Sequence, residues 1–504
     1  MMSFMEKKTT TVRTFFIIMA LLVFSLAFQG SRGLWERDEG RYTNIAMRML
    51  QSGDFIVPAF NDDVPHFAKP PLTYWSIAGG VSLLGWNEWG ARLPNALAFV
   101  GTILVIYAMA RRIVPDRAWL PPLIYATCIV PFCAANVITT DTLLTLWEAI
   151  AVLGFIEWWH RREDSGMSRL PLNLLMWSGF GLAFLTKGPP GLLPLIAIMV
   201  FVGIKDGLKA IIRLFSFSGI LVFVIVGFWW YVLVAITHPG IMKYFIRDEF
   251  VNRIATGMHH RNPEWYKPFV IYIPVLIIGT VPWTLPLIRA IRSFQFTLVS
   301  RSWWKDKLEH NQWPAFLVLW VALPLAVFFL SSSRLPLYVL PLFVPLSLAT
   351  GRLTRFTPNS KTAVCLLAAW IVMLPAVKFA GSLYPFEKDS RKMARMIADK
   401  VHPIPREIVF VDSEPFWGLN LYLHSEVERV SISTPGTGGT LADELLFAEL
   451  VEGETGILIV AEKRKEARVL AGCRQIGYEA RTLGGYGKWV LIDPYQGFGK
   501  PPGS

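Results

Sequence analysis

The chain has 504 residues, of which 53% are hydrophobic and 17% charged, and a formal net charge of +12. Its mean hydropathy is +0.43. This composition excludes a water-soluble globule and indicates a polytopic membrane protein. The positive charge lies mostly in short loops between apolar stretches, which is typical of membrane topology and does not predict nucleic-acid binding. The four cysteines are scattered, so they indicate neither a disulfide framework nor a metal site.

The first apolar segment begins the chain's membrane pattern. It runs from Phe15 to Phe28, follows Lys7, Lys8 and Arg13, and is long enough to begin a bilayer span if Gln29 to Leu34 are added. A cleaved signal peptide is the alternative interpretation, although no convincing small-residue cleavage site follows it.

Further apolar stretches recur along the chain and predict about 11 to 13 transmembrane helices in all. They cover residues 91–110, 118–138, 142–159, 170–186, 189–204, 215–236, 269–288, 313–330, 336–350 and 362–381. Arginine and lysine cluster in alternate loops, which predicts that these loops are cytoplasmic. By the same parity the N-terminus is cytoplasmic, whereas Asp38 and the region after about residue 385 lie on the external side.

Charge is dense directly after the first apolar segment, from Trp35 to Tyr42. This stretch contains the adjacent carboxylates Asp38 and Glu39 and the cations Arg37 and Arg41. Such density at a membrane boundary predicts a chemical role. The segments 38–51 and 71–84 combine an apolar side with charged ends, which favours helices lying along the membrane surface.

Many cations fall on the external side, where the topology signal does not explain them. A phosphate group is a natural shared partner for such cations. The alternative is that they bind lipid head groups or pair with local acids such as Glu36, Asp248 and Glu249. The cations are Arg37, Arg41, Lys69, Lys187, Arg247, Arg253, Arg261, Lys267 and Arg334.

Three charged residues lie at breaks between apolar segments. Lys69 precedes two prolines, and Lys187 precedes the sequence Gly188-Pro189-Pro190. Irregular backbone of this kind is tolerated in a membrane where it lines a cavity. Asp141 lies at an external junction, where we expect it to face water or a cation, or to cap the next helix.

The external loop from about 237 to 268 contains the adjacent histidines His259 and His260. Two neighbouring histidines without a third spaced ligand form a weak metal site. The sequence therefore predicts no metal ligands, and a divalent metal cofactor stays possible.

Several short motifs, taken in order, resemble a known family. The chain resembles a bacterial member of the lipid-carrier-dependent glycosyltransferases of the membrane-embedded GT-C class, which includes the aminoarabinose transferase of lipid A and the protein O-mannosyltransferases. The likeness covers about the first 350 residues. Its motifs are Asp38 to Tyr42, Ser52-Gly53-Asp54, Lys69 to Leu72, Thr140-Asp141-Thr142, Thr186 to Pro189, Glu249 to Arg253 and Ser333 to Pro341.

The resemblance implies a two-part architecture in the bacterial inner membrane. Residues 1–384 would form an all-α polytopic domain with two juxtamembrane helices in the first external loop. Residues 385–504 would form a small α/β domain on the periplasmic side, where the active site would also lie.

The resemblance also implies an inverting glycosyltransferase. It would take a sugar from a polyprenyl-phosphate donor of the undecaprenyl-phosphate type and pass it to an acceptor such as lipid A, another glycan or a protein. Membrane lipids would be further partners. A lipid-linked sugar flippase and a structural or sensor protein are the alternatives. The implied catalytic carboxylate is Asp38, beside Glu39. The donor phosphate would bind Arg41, Lys69, Lys187, Arg253 and Arg334, and the substrate cavity would include Tyr42, Asp141, Glu249, His259 and Tyr338.

Two positions depart from the family pattern. Ala68 stands where aminoarabinose transferases usually have an acidic residue, and Arg334 replaces a common lysine. The first departure puts in doubt a metal site or a sugar contact at that position. The sequence therefore does not identify the sugar.

The C-terminal part alternates short β runs with helical stretches, which predicts a small α/β domain. The predicted strands are Ile408 to Val411, Gly456 to Ala461 and Trp489 to Ile492, and the predicted helices are 388–401, 440–452 and 462–472. The run Gly484-Gly485-Tyr486-Gly487 predicts a turn before the last strand, with a ligand loop as the alternative. Acceptor recognition or capping is the expected role of this part.

Overall fold

A computed structural model describes residues 2–61, 64–163, 168–245, 262–294, 300–354, 360–431, 444–445, 456–475 and 478–496. The chain forms two compact units. The first, here called the membrane unit, comprises Met1–Phe28, Ala68–Thr73 and Arg92–Lys378. The second, here called the sheet unit, comprises Gln29–Phe67, Tyr74–Ala91 and Phe379–Ser504. The boundary at residues 384 and 385 stays a prediction.

The described part of the chain contains seven helical stretches that are long and apolar enough to span a bilayer. A polytopic helical membrane protein is thereby confirmed. The seven stretches are Glu88–Ile113, Thr140–His160, Pro189–Asp206, Phe217–Thr237, Trp313–Leu330, Pro336–Leu353 and Lys361–Leu383. The other described α-helices that lie wholly in the membrane unit are Met2–Leu26, Leu120–Thr127, Ile129–Ala134, Leu170–Lys187, Leu208–Ile211, Ile241–Lys243, Lys267–Gly279, Thr284–Phe294 and Arg301–His310.

Two predicted spans are interrupted at prolines. The stretch 118–138 breaks at Cys128, which has an extended backbone. Pro131 lacks the N–H that a continuous helix would need and its ring would clash with the preceding turn, so a new helix begins at Ile129. The stretch 269–288 breaks in the same way, between Gly279 and Thr284, around Pro282. The predicted continuation of the first span beyond Phe28 is also wrong, because that helix ends at Leu26.

The helices Thr140–His160 and Leu170–Lys187 pack closely through glycines. A Cβ atom on Gly179 would lie 2.6 Å from the main-chain nitrogen of Ala151, and one on Gly154 would lie 2.6 Å from that of Met176. Small residues let membrane helices approach to this distance. Because the two helices are joined by a short connection and run in opposite directions, the start of the first lies beside the end of the second.

Aromatic side chains fill the core of the membrane unit. The Phe316 ring lies 5.4 Å from the Phe155 ring and 5.3 Å from the Phe201 ring, measured between centroids. All three side chains are buried. Ring packing of this kind holds the Thr140–His160 helix against its neighbours.

The sheet unit contains a six-stranded sheet with the order β3-β2-β1-β4-β6-β5. The strands are β1 Glu407–Val411, β2 Glu426–Ser431, β3 Glu444–Leu445, β4 Ile457–Glu462, β5 Tyr478–Tyr486 and β6 Trp489–Gln496. Strands β1 to β4 pair in parallel, and β6 pairs antiparallel with β4 and β5. The described α-helices that lie wholly in this unit are Asp38–Ser52, Ser390–Lys400, Leu419–Leu423 and Glu466–Gln475. The helices Leu72–Leu84, Glu88–Ile113 and Lys361–Leu383 begin in one unit and end in the other.

A small C-terminal α/β part is confirmed, with differences in detail. Strands β2 and β5 were not predicted, because neither has a continuous apolar run. Within the predicted helix 440–452 the described residues Glu444 and Leu445 form β3, and the rest lies outside the described residues. The predicted turn is present at Gly487, whose φ is 55°, whereas Gly484 to Tyr486 belong to β5.

Candidate active site

The helix Asp38–Ser52 presents the charged motif at its first turn. Tyr42, Ile45, Ala46 and Met49 are buried, and their spacing of three and four residues forms the apolar stripe of an amphipathic helix. Acidic residues in the first turn interact favourably with the partial positive charge of a helix N-terminus. The fold therefore places Asp38 and Glu39 at the start of a helix, in agreement with the helix predicted over residues 38–51.

Asp38 is the accessible member of the acidic pair. Half of its side chain is exposed, at 50%. Its carboxylate accepts a hydrogen bond of 2.7 Å from the Arg41 guanidinium. The same guanidinium lies over the Tyr42 ring, 5.3 Å from its centroid. A carboxylate that is solvated on one side and oriented by a cation on the other is suited to accept a proton or to orient a hydroxyl group.

Glu39 has a different environment from its neighbour. Its side chain is 2% exposed and is paired with Arg32. The Arg32 Nη2 group donates to Glu39 Oε1 at 3.0 Å, and the Trp35 N–H donates to Oε2 at 3.0 Å. The Arg32 guanidinium also lies 4.1 Å from the centroid of the Trp35 ring. Glu39 therefore orders the loop that precedes the helix.

A buried ion pair joins two predicted residues of the membrane unit, Asp141 and Lys187. Their side chains are 8% and 9% exposed, respectively. Asp141 lies in the first turn of its helix, and Thr139 is the N-cap, so the alternative capping role of Asp141 is wrong. Lys187 is the last residue of its helix, before Gly188 with φ of 75°. Its ammonium group lies 4.2 Å from the centroid of the Tyr338 ring.

A second buried carboxylate lies near this pair, and the sequence analysis missed it. Glu148 is 4% exposed and interacts electrostatically with Asp141 and Lys187. It follows Asp141 by seven residues, which places both on one face of the helix. A second carboxylate on the same helix face, inside an apolar span, was the sequence feature that could have identified Glu148. Among the described residues this cluster comprises the carboxylates of Asp141 and Glu148 and the ammonium group of Lys187.

Arg334 is a buried cation of the membrane unit. It is 5% exposed, and its guanidinium donates to the main-chain carbonyls of Asn262 at 2.8 Å, Glu264 at 3.1 Å and Phe329 at 3.3 Å. Its Nε atom has no partner among the described residues. Carbonyl groups orient a guanidinium without neutralising it, so its charge is available to an anion.

Of the remaining predicted site residues, some lie within the described ranges and others do not. Lys69 is half-buried, and its ammonium group donates to the Ala68 carbonyl at 2.9 Å. Arg253, Glu249 and His259 lie outside the described residues. Within the described ranges no group of three or more His, Cys, Asp or Glu side chains is arranged to hold a metal ion.

The predicted residues thus form two sets, each within its own unit. Asp38, Glu39, Arg41 and Tyr42 belong to the sheet unit. The other described residues of the prediction belong to the membrane unit. They are Lys69, Asp141, Lys187, Arg334 and Tyr338.

Known proteins resemble this chain in sequence and in fold. A family model described as dolichyl-phosphate-mannose-protein mannosyltransferase matches residues 68–231. The undecaprenyl phosphate-alpha-4-amino-4-deoxy-L-arabinose arabinosyl transferases of Pseudomonas fluorescens and Edwardsiella ictaluri are 29% and 30% identical over 343 and 340 residues. Each alignment covers 66% of this chain and 58% of the relative, so the chain spans less than two thirds of the length of these relatives.

Solved structures extend the likeness to nearly the whole chain. The crystal structure of ArnT from Cupriavidus metallidurans bound to undecaprenyl phosphate aligns with a TM-score of 0.77 at 20% identity, covering 96% of this chain and 98% of that one. The oligosaccharyltransferase of Archaeoglobus fulgidus aligns with a TM-score of 0.51 at 12% identity, covering 91% and 70%.

The described helices and these likenesses together define the class of the protein, a multi-pass membrane protein with the GT-C fold. Within that class the chain is similar in sequence to aminoarabinose transferases and, over residues 68–231, to the dolichyl-phosphate-mannose-protein mannosyltransferase family. The resemblance inferred from the short motifs is confirmed.

Proposed function

We propose that this protein is an inverting glycosyltransferase that moves a sugar from a polyprenyl-phosphate donor to an acceptor of the bacterial envelope, such as lipid A, another glycan or a protein. The observation that carries the proposal is the half-exposed carboxylate of Asp38, oriented by Arg41, beside a Glu39 that is buried and paired. Relatives named as undecaprenyl-phosphate-dependent arabinosyl transferases support the donor class.

The donor chemistry explains why the site needs cations. Breaking the bond between the anomeric carbon and the phosphate turns a phosphodiester into a phosphate monoester with more negative charge. Fixed cations stabilise that charge as it develops, and they replace a general acid. Arg334 fits this role because its described acceptors are carbonyl groups. Arg41, Lys69, Lys187 and Arg253 are the other proposed donor-phosphate ligands.

The acceptor then needs one carboxylate. Asp38 takes the proton from the acceptor hydroxyl, or orients an acceptor that is already ionised. The acceptor oxygen attacks the anomeric carbon as the phosphate leaves from the opposite face, so the configuration at that carbon inverts. Tyr42, Asp141, Glu249, His259 and Tyr338 are the proposed cavity residues. The proposed location is the periplasmic face of the inner membrane.

Asp38→Asn tests the catalytic assignment. The full-length protein is reconstituted in proteoliposomes with undecaprenyl-phosphate-linked sugars and envelope acceptors, and the products are followed by mass spectrometry. Losing a general base lowers kcat by about 10²–10⁴-fold, and we expect donor binding to be retained. Asp399→Asn is the matched control, because Asp399 is an exposed aspartate of the Ser390–Lys400 helix, and it should transfer like the wild type.

Two outcomes would contradict the proposal at different levels. Retained transfer by Asp38→Asn would remove Asp38 from the mechanism. Absence of transfer by the wild type, together with lipid-carrier translocation that survives Asp38→Asn, would identify a flippase instead.

A further inference from the structure

Glu36 lies two residues before Asp38 and is enclosed by the sheet unit. Its side chain is 9% exposed. The Ser390 hydroxyl donates to Glu36 Oε1 at 2.6 Å, and the Gly418 N–H donates to the same oxygen at 2.8 Å. These donors follow Glu36 by 354 and 382 residues. One carboxyl group therefore connects the charged motif with two distant segments of the same unit.

Main-chain hydrogen bonds hold the same connection. The Glu36 N–H donates to the Lys388 carbonyl at 3.0 Å, and the Ser390 N–H donates to the Leu34 carbonyl at 3.0 Å. Between them Trp35 and Asp389 form an antiparallel bridge. The residues before the helix Asp38–Ser52 are thus paired with residues 388–390.

Two glycines make room for the Glu36 carboxyl group. A Cβ atom on Gly40, in the first turn of the helix, would overlap both carboxyl oxygens. A Cβ atom on Gly418 would lie 3.0 Å from Glu36 Oε1 and 2.7 Å from the Ser390 hydroxyl. The carboxyl group therefore packs directly against the turn that carries Asp38 and Glu39.

The surroundings favour the neutral form of this group. Burial above all, with a smaller contribution from the Glu39 carboxylate, raises the pKa of Glu36 to about 8, although both hydrogen bonds and Arg41 act in the opposite direction. Of the charged groups beside Ser390, Asp389 caps its own helix and Arg391 pairs with Glu88. Glu36 Oε2 is buried without a partner among the described residues, which costs less for a neutral carboxyl group than for a carboxylate.

We propose that Glu36 is a positioning residue that acts as a neutral carboxyl group and fixes the first turn of the Asp38–Ser52 helix against Ser390 and Gly418, thereby orienting Asp38. This proposal depends on the proposed function in one respect, because that function makes Asp38 the catalytic carboxylate. A residue that merely fills space would not require a hydrogen-bonding group of this shape or show a matching pH profile.

Three variants separate these roles. Glu36→Gln keeps the shape and an acceptor oxygen without the ionisation. Glu36→Ala removes the connection, and Ser390→Ala removes one donor. Ser52→Ala is the matched control for the serine, because Ser52 is exposed and its hydroxyl bonds to near neighbours in sequence, donating to the Arg48 carbonyl and accepting from the Asp54 N–H. Each is assayed in the full-length protein for kcat and for the KM of the sugar donor between pH 6 and 9.

We expect Glu36→Gln to keep a kcat close to the wild-type value at pH 7. Wild-type kcat should fall as the pH rises through about 8, and the Gln variant should lack that fall. Glu36→Ala and Ser390→Ala should lower kcat about tenfold or more, because small misplacements of a catalytic group are costly. The KM of the donor should stay nearly unchanged, and Ser52→Ala should behave like the wild type.

Stability provides a second readout of the same ionisation. The unfolded chain ionises this glutamate from about pH 4.5, whereas the folded protein does so only near pH 8. The contribution of Glu36 to stability is therefore fully present below pH 4.5 and is lost as the pH rises to about 8. The melting temperature of the wild type should fall relative to that of Glu36→Gln across this range.

Hydrogen–deuterium exchange separates this proposal from the proposed function. Amide protons of residues 34–42 should exchange faster in Glu36→Ala than in the wild type and remain protected in Glu36→Gln. The variant Gly40→Ala should also exchange faster, with Gly79→Ala as control because a Cβ there meets no atom within 4 Å. If the wild type transfers no sugar, the proposed function fails while this exchange pattern still tests the connection.

Two results would overturn the proposal. The first is a Glu36→Gln variant as inactive and as unprotected as Glu36→Ala. The second is a folded Glu36→Ala variant with wild-type kcat and protection. If Glu36→Ala does not fold, wild-type values for Ser390→Ala and Gly40→Ala would have the same meaning.

Discussion

The first turn of the Asp38–Ser52 helix and the Asp141–Lys187 cluster hold charge in opposite ways. The Asp38 side chain is 50% exposed and pairs with a cation three residues along the same helix. Asp141 and Lys187 are at most 9% exposed and come from different helices, with Glu148 buried near them. A carboxylate can therefore be changed at Asp38 with little effect on folding, whereas a change at Asp141 affects folding as well.

The physical reason is solvation. An exposed ion pair contributes about 0–1 kcal/mol, because water compensates either partner when the other is lost. In a buried pair, losing one partner leaves a charge that water cannot reach. Substitutions in the two regions should therefore differ in whether they reduce activity, stability or both.

Lys187→Met gives the largest expected effect on stability. It leaves the Asp141 carboxylate buried near Glu148 with no ammonium group, and breaking a buried pair in this way costs about 3–5 kcal/mol. The free energy of unfolding in detergent, followed by tryptophan fluorescence, measures the effect. Lys361→Met, at an exposed lysine, should be nearly neutral.

Adding Asp141→Asn to Lys187→Met tests whether the loss comes from the pair. The double variant should recover part of the lost stability, because it removes the uncompensated carboxylate. A Lys187→Met variant as stable as the wild type would show that the buried cluster and the exposed turn do not differ as described.

Glu39→Gln gives a smaller expected effect. It leaves Arg32, which is 10% exposed, without its carboxylate, and an unsatisfied buried partner costs about 1–3 kcal/mol. The same unfolding measurement applies. Equal stability of Glu39→Gln and Asp38→Asn would contradict the different roles of these adjacent acids.

Asp38→Asn should have the smallest effect on stability and yet a large one on transfer. Losing its exposed pair with Arg41 changes the unfolding free energy by about 0–1 kcal/mol. Circular dichroism and unfolding of the variant used in the transfer assay check this expectation. A loss as large as that of Lys187→Met would attribute the missing activity to misfolding.

Much of the fold could be predicted from local pattern. Apolar stretches of sufficient length predicted most of the membrane helices, and the apolar stripe of residues 42–49 predicted the helix that carries Asp38. The spans predicted over residues 118–138 and 269–288 were wrong in their continuity, because Pro131 and Pro282 interrupt helices and average hydrophobicity does not register this effect. Strand β2 was missed because it lacks a continuous apolar run; Glu428 is buried although it is charged, and Asn61 donates to its carboxylate.

The pairing and burial of the candidate site residues could not be predicted from the sequence. Asp141 and Lys187 were each singled out, but their pairing over 46 residues depends on the antiparallel packing of two helices through Gly154 and Gly179. The difference between Asp38 and Glu39 depends on Arg32 and on the loop it orders. Asp38 and Glu39 are both carboxylates and adjacent in sequence, but they differ in burial, which is a property of the folded chain.

Hydrophobic length and charge asymmetry are local properties, so the sequence alone showed a polytopic membrane protein, and its short motifs carried the resemblance to the GT-C class. Only the tertiary structure decided which carboxylate is exposed, which cations are neutralised, and that Glu36 meets Ser390 and Gly418. The reason is that solvation and ionisation depend on every segment around a group, and those segments are hundreds of residues apart in the chain.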